Sequence, residues 1–273
     1  MKTALFLVFI LICCPAARAQ QTLTGGARDL YQQAKLESRF FHDAENLHPD
    51  LVPTSDGKSF FVIWKPTPSP DRWIVSLHGA GQPARGFATD DLAIWSRHLR
   101  NRKIGVICLQ WWLGTGSATG DFYSPREMYR EIDSLLQRLR VKPGTVMLHG
   151  FSRGSTNTFS LSAIDRSAGK HYFGLNVASS GGVALDYPPT REIVDGKLGQ
   201  HPLRDTKWIT VAGARDPHPE RDGITGMRST AEWLRSQGAV VLISIEDPTN
   251  GHGALQTNPQ NASAVLDRFE HLN

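Results

Sequence analysis

The chain has little of what marks a disulfide-rich, nucleic-acid-binding or membrane protein. It contains three cysteines, and two of them, Cys13 and Cys14, lie in an apolar leader. Cys108 is then left alone and cannot form an internal disulfide; its apolar, strand-like surroundings predict a buried core residue rather than a catalytic one. The charged residues, 21% of the chain, are scattered without a basic run of five. A nucleic-acid or anionic-membrane surface therefore has little support.

The apolar run near the N-terminus, residues 4–12, is too short to span a bilayer comfortably. It follows Lys2 and precedes Ala17-Arg18-Ala19, a small-x-small pattern typical of a signal-peptide cleavage site. We expect residues 1–19 to be removed, so that the protein is secreted or periplasmic and has no stable membrane insertion. Retention of the segment as an anchor is the alternative. Removal lowers the net charge from +4 to +2.

Residues 20–273 show no internal repeat, low-complexity tract or linker, and we interpret them as one domain. Short apolar runs alternate with helical patterns, and several runs are continuous, as in strands buried on both faces. This alternation predicts an α/β fold with a mostly parallel central sheet and helices on both faces. The predicted strands are 59–65, 73–77, 105–110, 145–148, 173–178, 208–212 and 240–245.

The clearest helix signal is Ser124-Pro125-Arg126-Glu127, which offers an N-cap serine, a proline at the first helical position and a glutamate at the third. Residues 43–58, before the first predicted strand, look irregular. The proline-containing connection 180–207 is interpreted either as a cap over the site or as a long surface loop. Further helical patterns cover 27–42, 90–101, 155–166, 225–237 and 260–272.

Gly150-Phe151-Ser152-Arg153-Gly154 stands between a predicted strand and a predicted helix. A G-x-S-x-G turn in this setting lifts the serine hydroxyl above the sheet in a strained conformation, which makes Ser152 a candidate nucleophile. The backbone N–H of Arg153, at the start of the helix, is a candidate donor to an oxyanion. The five residues alone are a weak pattern, so the prediction depends on partners elsewhere in the chain.

A second oxyanion donor is predicted in the turn His78-Gly79-Ala80-Gly81 after the strand 73–77. The N–H of Ala80 is the candidate, and the alternative is that the glycines only permit a tight exit from the strand. We interpret His78 as a residue that shapes the loop rather than as the general base.

The candidate acid is Asp216, which closely follows the strand 208–212 and is stiffened by Pro217. A carboxylate here can orient a histidine and stabilise its imidazolium. Three other acidic residues are alternatives: Asp222, Glu246 and Asp247. Asp216, His218 and Asp222 also suggest metal ligands, but there is no second ligand cluster and no H-E-x-x-H helix, so we predict neither a metal nor a cofactor.

The candidate general base is His252, in the glycine loop Asn250-Gly251-His252-Gly253 after the last predicted strand. Such a loop allows the imidazole to reach Ser152; a solvent-exposed loop histidine is the alternative. Gln110-Trp111-Trp112 follows another strand and is a candidate substrate-binding wall, with plain packing of the loop equally favoured. The side chain of Arg153 is expected either at the site or in a surface ion pair.

The motifs HGAG, GFSRG, GARDP and NGHG, in this order, resemble those of the α/β-hydrolases over about residues 60 to 272. LHGAGQ followed by this serine turn is similar to secreted esterases related to polyhydroxyalkanoate depolymerases and to feruloyl or acetylxylan esterases. Those enzymes usually carry a small residue where this chain has Arg153. The resemblance implies an α/β-hydrolase fold and a serine esterase that cleaves small-molecule or polymer-borne carboxylic esters through an acyl-enzyme.

Two alternatives to the esterase remain at this point. A serine peptidase or amidase needs the same nucleophile, base and acid. A catalytically silent hydrolase fold used for binding does not need these groups to be catalytically competent. The sequence makes no prediction of the oligomeric state.

Overall fold

A twisted sheet with helices on both faces forms the protein, whose computed structural model describes residues 22–80 and 86–272. The predicted signal peptide lies outside these residues. Within them the strands are β1 Asp50–Pro53, β2 Phe60–Trp64, β3 Arg72–Leu77, β4 Ile104–Leu109, β5 Val146–Phe151, β6 Phe173–Ser179, β7 Lys207–Gly213 and β8 Val240–Asp247. Their order is β1-β2-β4-β3-β5-β6-β7-β8. β2 is antiparallel to β1 and β4, and the pairs among β3 to β8 are parallel.

The helices cover both faces of this sheet. α4 begins with the predicted capping box: Ser124 Oγ accepts from the N–H of Glu127, and the Glu127 carboxylate accepts from the N–H of Ser124 at 2.8 Å. No helix in the described part of the chain is long and apolar enough to cross a membrane. The helices are α1 Gly25–Glu37, α2 Phe41–Glu45, α3 Ala88–Ser96, α4 Pro125–Arg138, α5 Arg153–Ser167, α6 Pro188–Val194, α7 Ile224–Ser236, α8 Ala254–Thr257 and α9 Pro259–Glu270.

Alternate residues of the central strands are buried in two different core layers. In β4, Val106 and Cys108 belong to one apolar cluster, whereas Ile107 and Leu109 belong to another. All six residues of β4 are buried, as expected for a parallel strand covered on both faces. Burial raises the pKa of the Cys108 thiol well above its ordinary value, and the neighbouring charge of Asp91 raises it further. Cys108 is therefore the buried core cysteine that the sequence predicts.

The structure differs from the sequence interpretation in residues 43–58, which contain the edge strand β1. β1 is only four residues long, is half-buried throughout, and pairs with β2 alone. A strand of this kind carries little hydrophobic periodicity, and Pro53 at its end is tolerated because edge strands leave backbone N–H groups unpaired. Local sequence pattern therefore gives no strand signal here.

The connection 180–207 contains α6, and its buried residues pack against α5 and β7. Ile193 and Leu203 are buried in an apolar cluster with Phe159 of α5 and Trp208 of β7. The Phe159 and Trp208 rings are stacked with centroids 5.2 Å apart. The later part of the connection is thus part of the core, while Gly181 near its start packs directly against the backbone of Ser152.

A polar network is buried beneath the site, between β3, β5 and α3. Ser76 Oγ lies 2.5 Å from an Asp91 carboxyl oxygen and 2.8 Å from His149 Nδ1. Trp95 Nε1 is 3.3 Å from both Ser76 Oγ and His149 Nδ1. Burial raises the pKa of Asp91 to about 7 and lowers the pKa of His149 to about 3. The network therefore favours a neutral carboxyl and a neutral imidazole.

The raised pKa of Asp91 predicts that the protein loses stability as the pH rises. The folded state binds the Asp91 proton more tightly than the unfolded state does. The contribution of this proton to the free energy of unfolding is therefore complete below pH 4 and is lost as the pH rises through about 7. We expect the free energy of unfolding of wild type to fall by about 2 to 3 kcal/mol between pH 5 and 8 relative to Asp91→Asn. Urea denaturation at these pH values measures the difference.

The matched control is Asp29→Asn, because Asp29 is exposed on α1. This variant should follow the wild-type pH dependence. An Asp91→Asn variant with the same pH dependence as wild type would show that Asp91 does not titrate as described.

Candidate active site

Ser152 lies between the end of β5 and the start of α5 with a strained backbone, φ 54° and ψ −122°. A Cβ atom added at Gly150 would lie 2.4 Å from the carbonyl oxygen of Gly154. A Cβ added at Gly154 would lie 2.3 Å from the carbonyl oxygen of Leu77. Both distances are far below contact, so the turn requires glycine at both positions. A positive φ at a non-glycine residue persists only where the surrounding structure enforces it.

The structure brings Ser152, His252 and Asp216 into one hydrogen-bonded line. His252 Nε2 lies 2.9 Å from Ser152 Oγ, and His252 Nδ1 lies 2.9 Å from Asp216 Oδ2. A carboxylate can only accept, so Nδ1–H donates to Asp216 and Nε2 is left to accept the serine proton. The side chain of Asp216 is fully buried, and its other oxygen accepts from the N–H of His218 at 2.9 Å.

Asp247, one of the alternative acids, instead organises the loop that carries His252. Its carboxylate accepts hydrogen bonds of 2.9 Å or less from the N–H groups of Thr249 and Asn250 and from three asparagine side chains, Asn250, Asn258 and Asn261. Burial opposes the ionisation of Asp247, but these bonds outweigh it and hold its pKa far below the usual value. In the sequence, the only indication of this role is that Asn250, Asn258 and Asn261 follow Asp247.

Close backbone packing also positions the His252 loop. A Cβ at Gly213, the last residue of β7, would lie 2.3 Å from the carbonyl oxygen of Asn250. Gly253 has φ 90°, a left-handed conformation that glycine adopts without strain. The rings of Phe151 and His252 lie 5.0 Å apart at 52°. The ends of β5, β7 and β8 thus converge on the imidazole.

Of the two predicted oxyanion donors, Arg153 directly follows Ser152, and Ala80 directly follows Gly79 in the turn after β3. A Cβ added at Gly79 would lie 3.2 Å from Ser152 Cβ, which places the turn after β3 directly against the nucleophile. Arg153 is the first residue of α5, and the first N–H groups of a helix have no acceptor within it. The next residue of the motif, Gly81, lies outside the described residues.

His78 is buried away from the proton-transfer line. Its Nδ1 lies 2.8 Å from the carbonyl oxygen of Gly79, and its ring stacks on Trp111 with centroids 5.3 Å apart. Burial lowers the pKa of His78 to about 4, and the bond to Gly79 only partly offsets this. A neutral imidazole fixed in this way shapes the loop, in keeping with the sequence interpretation.

Gln110, Trp111 and Trp112 are at most 2% exposed. Trp111 Nε1 donates to the carbonyl oxygen of His78 at 3.0 Å, and Gln110 Nε2 donates to that of Trp112 at 3.0 Å. Gln110 also accepts from the N–H of Ala88 at 2.9 Å. A substrate-binding wall needs exposed rings, so these contacts support the packing alternative.

The side chain of Arg153 forms no ion pair with any described residue, in contrast to the surface pair that the sequence suggested. Its Nη1 donates to the carbonyl oxygen of Ser117 at 3.2 Å, and its guanidinium lies 4.0 Å from the centroid of the Phe122 ring. These two contacts direct the side chain along the surface next to Ser152.

The remaining alternative acids have other partners. Glu246 pairs with Arg228 at 2.6 Å. Asp222 is buried and accepts two hydrogen bonds from Arg221, at 2.9 and 2.6 Å. Among the described residues, Asp216, Asp222 and His252 offer potential metal-ligand atoms within 4.8 Å of one another. The histidine of this group is His252 and not His218, the one that the sequence suggested. Both ring nitrogens of His252 already form hydrogen bonds, to Asp216 and to Ser152.

The Asp247 network predicts that its removal loosens the His252 loop. Asp247→Ala leaves at least five partly buried donor groups without their acceptor, and we expect a loss of about 2 to 4 kcal/mol in the free energy of unfolding. Amide hydrogen exchange across residues 249–253 should become faster. The control Glu246→Gln removes a neighbouring carboxylate that is bound to Arg228 at the surface. It should change the free energy of unfolding by no more than about 0.5 kcal/mol and leave hydrogen exchange across residues 249–253 unchanged. Equal effects of the two variants would contradict the role of Asp247.

No protein-family model and no curated protein matches the chain in sequence. Solved structures do match it in shape. An esterase from Pyrobaculum calidifontis superposes with a TM-score of 0.62 at 15% identity, covering 92% of this chain and 98% of the esterase. The carboxylesterase EstE1 from a metagenomic library gives 0.60 at 18%, covering 91% and 96%. A phospholipase/carboxylesterase from Dyadobacter fermentans gives 0.54 at 16%, covering 77% and 95%.

At these identities the similarity concerns the fold. The strand order, the antiparallel β2 and the parallel strands after it agree with that similarity. The prediction from the four motifs is confirmed at this level: the chain adopts the α/β-hydrolase fold.

Proposed function

We propose that the protein is a serine hydrolase that cleaves carboxylic esters through Ser152, His252 and Asp216. The observation that carries the proposal is the hydrogen-bonded line from Ser152 Oγ through His252 to Asp216, with 2.9 Å at each step. It is supported by the strained serine turn, which exposes the hydroxyl at the carboxyl end of the sheet. The structural neighbours named above are esterases, which favours esters over amides as the substrate.

The mechanism follows from the position of each group. Ser152 Oγ attacks the ester carbonyl carbon while His252 Nε2 takes its proton, and Asp216 stabilises the imidazolium that forms. The N–H groups of Ala80 and Arg153 stabilise the tetrahedral oxyanion, each by about 3 kcal/mol. His252 then protonates the leaving alkoxide as the C–O bond breaks, leaving an acyl-enzyme and an alcohol. Water then attacks the acyl carbon while His252 takes its proton. As the bond between the acyl carbon and Ser152 Oγ breaks, His252 returns the proton to Oγ, which releases the acid and restores Ser152.

The proposal includes export and a small-molecule or polymer-borne ester as substrate. Lys2, the apolar run 4–12 and Ala17-Arg18-Ala19 support a cleaved signal peptide. The similarity of LHGAGQ and the serine turn to polyhydroxyalkanoate depolymerases and feruloyl or acetylxylan esterases supports a secreted esterase. The chemistry needs no metal or organic cofactor. A silent binding fold is disfavoured, because it would have no need of an aligned serine, imidazole and carboxylate.

Replacement of the nucleophile tests the proposal. Ser152→Ala should lower kcat for p-nitrophenyl acetate by about 10³-fold or more, since the acyl-enzyme cannot form. The control Ser229→Ala, an exposed serine on α7, should match wild type. Aminoacyl-anilides, assayed in parallel, distinguish an amidase from an esterase. Undiminished ester hydrolysis by Ser152→Ala would refute the proposed nucleophile.

A pair of aspartates tests the acid. Asp216→Asn should lower kcat by about 10³- to 10⁴-fold, because the asparagine stabilises the wrong imidazole tautomer and no imidazolium charge. Asp222→Asn removes a second buried carboxylate near His252 that is bound to Arg221, and it should lower kcat less than about tenfold. Steady-state kinetics on folded variants gives both values. A larger loss in Asp222→Asn would assign the acid to that residue instead.

A further inference from the structure

A polar groove of about 400 Å³ is lined by Arg153, the residue that follows Ser152 in the chain. One wall is formed by the first turns of α5, with Arg153, Thr156 and Asn157, and the other by the chain that leads into α6, with Asp186 and Tyr187. Arg153, which directly follows the proposed nucleophile, lines the groove, so the groove is within reach of a substrate held by Ser152.

The two walls are fixed to each other and to the serine turn. Ser155 Oγ donates to the carbonyl oxygen of Gly181 at 2.7 Å, and Thr156 Oγ1 donates to that of Gly182 at 3.3 Å. A Cβ added at Gly181 would lie 2.1 Å from the carbonyl oxygen of Ser152. The groove is therefore preformed, which reduces the entropy cost of binding.

The lining of the groove suits a small polar group rather than a long acyl chain. The Tyr187 hydroxyl donates to Asn157 Oδ1 at 3.0 Å, and Asn157 Nδ2 donates to the carbonyl oxygen of Arg153 at 3.0 Å. The apolar members of the lining, Ala184 and Pro188, are small. A long hydrocarbon chain would find no continuous apolar surface here.

Arg153 supplies a positioned cation whose charge no described carboxylate neutralises. The carbonyl oxygen of Ser117 accepts from Nη1, and the Phe122 ring packs against the face of the guanidinium. Nε and Nη2 have no acceptor among the described residues. Burial raises the pKa of Tyr187, and the nearby positive charge of Arg153 opposes that rise. A guanidinium fork held in this way matches a carboxylate.

We propose that this groove is a subsite for a carboxylate carried by the substrate and bound by the side chain of Arg153. The substrate class is an ester whose acyl or alcohol part bears a free carboxylate a few bonds from the ester carbonyl. This inference rests on the proposed ester hydrolysis at Ser152. Asp186 lines the same groove and is exposed, so its repulsion of an anion is weakened by solvent without being abolished.

Matched pairs of esters test the subsite. In the acyl pair, monoethyl glutarate is compared with its neutral amide, ethyl 4-carbamoylbutanoate. In the alcohol pair, 4-acetoxybenzoate is compared with 4-acetoxybenzamide. The readout is the ratio of kcat/KM for the carboxylate to that for the amide. In wild type we expect a ratio of roughly ten or more in one pair, the size of a charge-assisted hydrogen bond, and that pair identifies which part of the substrate enters the groove.

Variants assign the ratio to the groove. Arg153→Gln keeps the backbone N–H and should bring the ratio to within about twofold of one, whereas Asp186→Asn should raise it. Arg228→Gln removes an exposed cation that pairs with Glu246, and it should leave the ratio at the wild-type value. A wild-type ratio near one in both pairs, or a ratio unchanged in Arg153→Gln, overturns the subsite and leaves the proposed function standing. Failure of wild type to hydrolyse any of the four esters or p-nitrophenyl acetate overturns both.

Discussion

The backbone turn at Ser152 is the constraint on which the site depends. Ser152 holds a positive φ that costs about 1 to 3 kcal/mol, and the surrounding chain enforces it. Three glycines, Gly150, Gly154 and Gly181, approach neighbouring carbonyl groups more closely than any Cβ would allow. Through these approaches the ends of β3, β5 and β6 meet at one point. The same contacts position the Ser152 hydroxyl and join the serine turn to the chain that forms one wall of the adjoining groove.

A second, separate set of hydrogen bonds holds the imidazole of His252. Asp247 gathers the N–H and side-chain donors of the loop after β8, while Asp216 at the end of β7 bonds the ring itself. The two carboxylates therefore divide two tasks, loop shape and ring orientation. Both are buried, but Asp247 is surrounded by amide donors and Asp216 faces the imidazole. Because both residues are aspartates, their roles differ only through their environments.

Much of the site was predictable because functional side chains in this kind of sheet follow the carboxyl ends of parallel strands. Ser152, Asp216 and His252 each stand just after a strongly apolar run, and strand order brings the three runs together. The edge strand β1 was not predictable, since half-buried residues carry little periodicity. The orientation of Trp111 into the interior and of Arg153 over Phe122 was equally hidden. Those orientations depend on contacts between residues far apart in the chain.

Labelling with a fluorophosphonate, followed by location of the adduct by mass spectrometry, tests whether Ser152 is a nucleophile activated by His252. We expect a single adduct on Ser152 of the wild-type protein. In a folded His252→Ala variant, which lacks the base that takes the serine proton, labelling should be slower by orders of magnitude. An adduct on another residue, the absence of any adduct, or equally fast labelling of the variant would show that His252 does not activate Ser152 as a nucleophile.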